Sequence, residues 1–259
     1  MEFNVTVLGS GSSGNSILIS NGNDGILIDA GFSRKEILSR LDASGLSPDI
    51  VKAILITHEH LDHVKGARVL ADYLDIPTYV TPGTAKYLSE KNYLGKKKVL
   101  FEAGTEFNLL DFKVQPFCVS HDAIDPVGFI IAVGDIKVGL AMDLGHLDRL
   151  TKCRLKGCNV IILESNHDTQ LLRTSSRPLR LIRRIAGKFG HLSNEAAISS
   201  LPDLLTENSQ FLFLGHISSE CNNPEIVEEM AKSRLKEIER TDIILSIMKQ
   251  EAPLETISI

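Results

Sequence analysis

No stretch of this chain stays apolar long enough to cross a bilayer. Its first residues, Met1-Glu2-Phe3-Asn4-Val5-Thr6-Val7-Leu8, lack the basic start and small-residue cleavage site of a secretory leader and read as a strand. Cysteine is scarce. Cys118, Cys153, Cys158 and Cys221 are scattered, and the closest pair has four residues between it. That is neither a zinc knuckle nor a disulfide framework. It points to reduced thiols, buried as small hydrophobes, in a cytoplasm. A basic surplus is also missing. The net charge is −5, so an argument for nucleic acid has to be local. What is present is ordinary: 259 residues, 43% hydrophobic and 24% charged, suit a sizeable core in one large domain or two small ones. A single domain over residues 1–259 is the reading adopted.

Against that background one stretch stands out, Thr57-His58-Glu59-His60-Leu61-Asp62-His63. Three imidazoles and the Asp62 carboxylate fall within six residues, with Glu59 among them. Such a cluster is costly to desolvate unless something binds it. An apolar run, residues 53–56, precedes it, and a helix-like run, residues 64–70, follows. A strand ending near Ile56 puts His58 and His60 on one side of extended chain, where they can share a cation. Asp62 and His63 sit at the turn into the helix and can reach a second point nearby. Imidazole and carboxylate suit zinc, manganese and iron alike, and no thiolate is present to choose among them. Two ions about 3.5–4 Å apart are a common device for hydrolysing phosphate esters.

Elsewhere one pattern repeats. Apolar strands end in a potential ligand or acid at His58, His121, Asp143, Glu164 and His216. Strand ends and the loops after them are where α/β folds place their sites. Residues 25–28 end likewise at Asp29, which can bond the histidine loop from behind, the reading preferred, or merely close a turn. The loop Gly9-Ser10-Gly11-Ser12-Ser13-Gly14-Asn15-Ser16 can present Ser10, Ser12 and Asn15 to an anion. It is not a dinucleotide fingerprint, because no helix follows at once. Ser33 and Glu36 predict a capped helix ended by Gly45. Thr81-Pro82 and Asn223-Pro224 open others, and Gly134-Asp135 turns a hairpin. From Thr169 to Gly190 there is no acid, while Arg173, Arg177, Arg180, Arg183, Arg184 and Lys188 all fall there. A helix opened by Pro178 would bury Leu181, Ile182 and Ile185. It would set Arg177, Arg180 and Arg184 on one outer side, suited to phosphate. His146 is read as a helix-surface residue.

The ordered set His58-x-His60-x-Asp62-His63, His121, Asp143 and His216 resembles the five motifs of the metallo-β-lactamase fold, over nearly the whole chain. The resemblance implies an α/β protein, a four-layer αββα sandwich with a dinuclear metal site at one edge of the sheets. It implies that His58, His60 and His121 hold one metal and that Asp62, His63 and His216 hold the other. Asp143 would bridge both, with a hydroxide between them. An aspartate at that position looks like the glyoxalase II and nuclease branches. Glu164-Ser165-Asn166-His167-Asp168 looks like the acidic motif of RNA- and DNA-processing members. Gly190-His191-Leu192-Ser193-Asn194-Glu195 is similar to a helix entry of tRNA 3′-processing enzymes. With the Gly/Ser loop and Ser218-Ser219-Glu220-Cys221-Asn222-Asn223, the chain resembles the YycJ/WalJ group, bacterial proteins assigned as 5′→3′ DNA exonucleases. There is no room for the inserted cap of the β-CASP enzymes and no Gly/Pro-rich arm for tRNA. Both absences point away from RNA.

The expectation is a hydrolase with two divalent ions, zinc or manganese with iron as a third choice. It would cut nucleic acid, DNA before RNA, as a 5′→3′ exonuclease. Asp62 would orient or deprotonate the attacking water. His191 would protonate the leaving oxygen or steady the phosphate. Glu164 and His167 would orient His191 or a ligand. Two rivals are weighed beside it. One is a small-molecule phosphodiesterase or thioesterase of the same fold, and the other is a metal-dependent sensor.

Overall fold

The structure, a computed structural model, describes residues 3–259. Met1 and Glu2, which begin the segment read as a strand, lie outside the described residues. The chain parts into two compact units. One comprises the residues up to Thr105 with Ala123–Pro126 and Lys249–Ile259, and the other comprises Glu106–Asp122 with Val127–Met248.

The first unit is built on β1 (Asn4–Gly9), β2 (Ser16–Ser20), β3 (Gly25–Ile28), β4 (Val51–Leu55), β5 (Thr78–Val80) and β6 (Lys98–Leu100), side by side in that order. A last strand, Ile257–Ser258, pairs with the outer side of β1. From that strand to β3 the pairing is antiparallel, and from β3 to β6 it is parallel. β2 and β3 read Ser-Ile-Leu-Ile-Ser and Gly-Ile-Leu-Ile and are buried along their whole length, as strands covered on both faces are. The parallel part needs crossovers, supplied by α1 (Arg34–Ala43), α2 (Leu61–Val64), α3 (Ala67–Leu74) and α4 (Pro82–Glu90). Ser33 caps α1 by accepting from Glu36 N at 3.2 Å. Gly45 follows its end at φ +71°, where a side chain would be strained. Ile37, Leu41, Leu70 and Leu88 pack from these helices onto Leu18, Leu27 and Ile54 of the sheet.

The second unit repeats this pattern of pairing, with its outer antiparallel strand coming first in the chain instead of last. Its strands are β7 (Phe107–Leu109), β8 (Phe112–Cys118), β9 (Val127–Val133), β10 (Ile136–Ala141), β11 (Val160–Glu164), β12 (Phe211–Gly215) and β13 (Ile244–Ile247), adjacent in that order. β7 to β10 are antiparallel and β10 to β13 are parallel. The crossovers are α5 (Arg149–Leu155), α6 (Thr169–Thr174), α7 (Leu179–Ile185), α8 (Asn194–Leu204) and α9 (Pro224–Glu237). Leu155, Leu201, Val227 and Leu235 cover Ile161, Leu163 and Leu212. Among the described residues there are thus two seven-stranded mixed sheets with their own helices, the parts that an αββα protein requires.

Three expectations are corrected here. His146 lies in the loop before α5, half-buried, and not on a helix surface. Cys118 and Cys153 are exposed, whereas Cys158 and Cys221 are buried as expected. The strand Ile257–Ser258 was not foreseen, because two residues leave no readable alternation. Among the described residues no helix is long and apolar enough to cross a membrane.

Candidate metal centre

In the first unit the chain leaves β4, passes through Thr57-His58-Glu59-His60 and enters α2, which carries Asp62 and His63. Asp29, at the end of β3 with φ +59°, holds this segment. Its Oδ1 accepts from Thr57 N at 2.8 Å, and its Oδ2 accepts from Thr57 Oγ1 at 2.8 Å and from His63 Nδ1 at 2.7 Å. Burial pushes the Asp29 carboxyl up, against the opposing pull of His63 and Thr57. Thr57 Oγ1 lies 3.0 Å from His58 Nδ1. With its own proton given to Asp29, that hydroxyl accepts from His58. Both rings therefore keep Nε2 as a lone-pair donor, the arrangement that metal-ligating histidines show. The His58 ring centroid lies 4.6 Å from that of His60 and 4.2 Å from that of His63.

Asn15 reaches the same edge. Its amide Nδ2 lies 3.1 Å from His63 Nε2 and 3.4 Å from Asp62 Oδ2. Ser10 Oγ holds it by donating to its Oδ1 at 2.9 Å. Ser10 is itself buried and steadies Asn15. Ser12 is exposed. The loop comes this close because Asn15 N bonds to Asp62 O at 2.8 Å and Gly31 has no side chain. A Cβ on Gly31 would stand 1.7 Å from Asp62 O.

In the second unit Glu164, fully buried at the end of β11, is the hub. Its Oε1 accepts from His191 Nδ1 at 2.8 Å and from His216 Nδ1 at 2.9 Å. Its Oε2 accepts from the backbone N–H groups of Leu144 at 2.9 Å and Leu192 at 3.1 Å. Burial would raise this carboxyl, but the His191 charge and the bonds from His191 and His216 outweigh it and hold it down at about 2. His191 is raised in turn: burial lowers it, and the Glu164 charge and hydrogen bond overcome that. Asp143 Oδ1 lies 3.4 Å from the Nδ1 atoms of both His191 and His216, and 3.9 Å from His121 Nε2. His121 donates from Nδ1 to Gly190 O at 3.0 Å. Asp143, Glu164, His191 and His216 could together hold a metal ion. Asp143 and His216 both take left-handed backbone at the ends of parallel strands, at φ +53° and +55°.

The structure brings His58, His60, Asp62 and His63 together in one unit, and His121, Asp143, Glu164, His191 and His216 together in the other. Three expectations change. The His167 ring is buried, its Nδ1 makes no hydrogen bond, and it orients neither His191 nor a ligand; of the two residues expected in that role only Glu164 fills it. Burial lowers its pKa and favours the neutral ring. Arg177 precedes α7 instead of sharing its face, and bonds Glu220 at 3.1 Å. Arg184, although exposed, is paired with Asp122, which leaves Arg180 as the exposed member of the expected trio that makes no ion pair among the described residues. Sequence reasoning missed Thr57 and Asn166. Asn166 Nδ2 donates to His216 O at 2.7 Å. The available signal was a polar residue beside each ligand-bearing strand end.

With this geometry in view, comparison with known proteins defines the class. A family model, the beta-lactamase superfamily domain, matches residues 25–217. The chain is 33% identical over 239 residues to the exodeoxyribonuclease YycJ of Bacillus anthracis, covering 92% of this chain and 90% of that protein. It is 35% identical over 228 residues to the exodeoxyribonuclease WalJ of Streptococcus pneumoniae, covering 86% and 85%. The metallo-beta-lactamase fold protein YhfI of Bacillus subtilis superposes with a TM-score of 0.74 at 16% identity, over 98% of this chain and 99% of that one. The chain belongs to the metallo-β-lactamase superfamily, in the family of YycJ and WalJ. It is a metal-dependent hydrolase, and its histidine and aspartate clusters are of the kind that take a divalent metal.

Proposed function

We propose that this hydrolase is a nuclease working with two divalent ions, zinc or manganese, and that its substrate is DNA, degraded from the 5′ end. The observation that carries the reading is kinship with two proteins named exodeoxyribonucleases over most of the chain. The metal part is supported by the donor set. His58, His63, His121 and His216 each have Nδ1 within 3.0 Å of an oxygen, the arrangement in which Nε2 can serve as a metal ligand. His58, His60, Asp62 and His63 would serve as ligands from the first unit, and His121, Asp143 and His216 from the second.

Bound divalent ions supply Lewis acidity toward a phosphate ester and a more acidic water. Asp62, more exposed than His63 beside it, would orient the attacking water. His191 is more exposed than the two ligand histidines near it, with its side chain at 23% against 1% for His121 and 3% for His216. Its Nδ1 proton is committed to Glu164, so Nε2 is the atom left to give a proton to the leaving oxygen or to bond a phosphate. Glu164 positions both His191 and His216.

The test is the protein loaded with Mn²⁺ or Zn²⁺ on 5′- and 3′-labelled single- and double-stranded DNA and RNA, beside bis-p-nitrophenyl phosphate. Mononucleotides released from the 5′ end of DNA are expected. Turnover of the small diester with every polymer left intact would replace this reading with a small-molecule phosphodiesterase.

A further inference from the structure

The turn that leads into His191 is unusually well fastened. Gly187 N bonds Arg184 O at 3.2 Å, Gly190 N bonds Gly187 O at 2.9 Å, and His191 N bonds Ile185 O at 2.8 Å. Residues 187–190 thus close a four-residue turn with Lys188 and Phe189 at its tip. Its backbone is packed without slack. A Cβ on Gly145 would lie 2.3 Å from Gly187 O and from the Lys188 carbonyl, and one on Gly190 would lie 2.2 Å from Arg184 O. The loop after Asp143 therefore braces the turn from one side. The His121 ring braces it from the other, by donating to Gly190 O.

On this fixed support Phe189 stands out in solvent. The chain has ten phenylalanines, all within the described residues, and Phe189 alone is exposed, at 56%. Scattered exposed apolar residues need no explanation by themselves. This one is held on a rigid tip, has Lys188 Nζ 5.8 Å from its ring centroid, and sits two residues before His191. Its Cα is therefore within about 7.6 Å of that of His191. Along a single strand stacked at about 3.4 Å per base, that is the reach of one or two nucleotides.

We propose that Phe189 is a stacking platform for an unpaired nucleobase beside the scissile phosphate, and that Lys188 meets the adjoining backbone phosphate. A planar ring with a neighbouring cation is how single strands are held without sequence preference. The proposal rests on the nuclease reading and refines it: the substrate end must be single-stranded or frayed where it is cut.

The experiment uses 5′-labelled single-stranded oligonucleotides with a normal or an abasic residue at the first two positions. F189A raises KM for the normal oligonucleotide about ten-fold or more, the size of one lost stacking contact. F189W restores it. On the abasic substrate the wild type shows the same loss and F189A adds nothing to it. The thermal midpoint of F189A stays at the wild-type value, because the side chain is exposed. Equal losses on normal and abasic substrates, or no loss on either, overturn the proposal. Indifference to F189A with oligonucleotides still degraded removes this inference alone. A wild type that hydrolyses bis-p-nitrophenyl phosphate but no oligonucleotide removes the nuclease reading and this inference with it.

Discussion

His63 donates from Nδ1 to Asp29 across 2.7 Å, and both side chains are buried. The pair is the first unit's counterpart of His216 and Glu164, 2.9 Å apart in the second. In each case a carboxylate fixes which ring nitrogen carries the proton, and so which one is offered as a ligand.

If Asp29 does this work, D29A weakens metal binding about 10–100-fold. Competition with a chromophoric chelator reads it directly. The same change strands the Thr57 N–H, so a stability loss of about 1–3 kcal/mol in the metal-free protein accompanies it. An unchanged metal affinity would show that Asp29 only closes a turn.

Glu164 and His191 give the metal-free protein a defined pH response. A carboxyl lowered from 4.5 to about 2 on folding stabilises the native chain above 4.5 and loses that contribution as pH falls through about 2. His191, raised above 6.5, contributes fully below 6.5 and loses its share as pH rises through its folded value. The pair is most stabilising between 4.5 and 6.5. Urea unfolding of wild type and E164Q is expected to differ most in that window and to converge toward the acid end. A difference that does not vary with pH counts against the ion pair.

H191A is expected to cut turnover about 10²–10⁴-fold and to leave the metal content of the purified protein unchanged. Metal analysis beside steady-state kinetics separates the two effects. Loss of metal from H191A would make the residue a ligand.

Gly31 is needed for close approach and Gly45 only for its backbone angle. G31A drives a Cβ to 1.7 Å from Asp62 O, so it should lower the thermal midpoint severely or abolish soluble expression. G45A meets nothing within 4 Å and bears only the strain of φ +71°, about 1 kcal/mol. Equal midpoints for the two variants would mean that the loop can move away from Asp62.

The cysteines should separate by burial. Cys118 and Cys153 are exposed and should alkylate in the native protein near pH 8. Cys158 is pushed up to about 12 by burial and, like buried Cys221, should react only after unfolding. Mass spectrometry after iodoacetamide treatment counts the labels.

The sequence by itself determined the elements and the kinds of donor. Alternation marked β8, Ser33 and Asn223 marked helix starts, and the His58–His63 spacing marked the ligand turn; all of these act over a few residues and survive in a string of letters. Tertiary structure alone decided which donors are spoken for. Asp29 meets a histidine 34 positions away, and Glu164 takes four hydrogen bonds from four separate residues. Asp122 and Glu220 neutralise arginines that looked free for phosphate. Such pairings depend on which groups are desolvated together, and desolvation is a property of the packed chain. The exposed ring of Phe189 belongs to the same class: nothing in its sequence neighbourhood separates it from the nine phenylalanines that the fold buries wholly or in part.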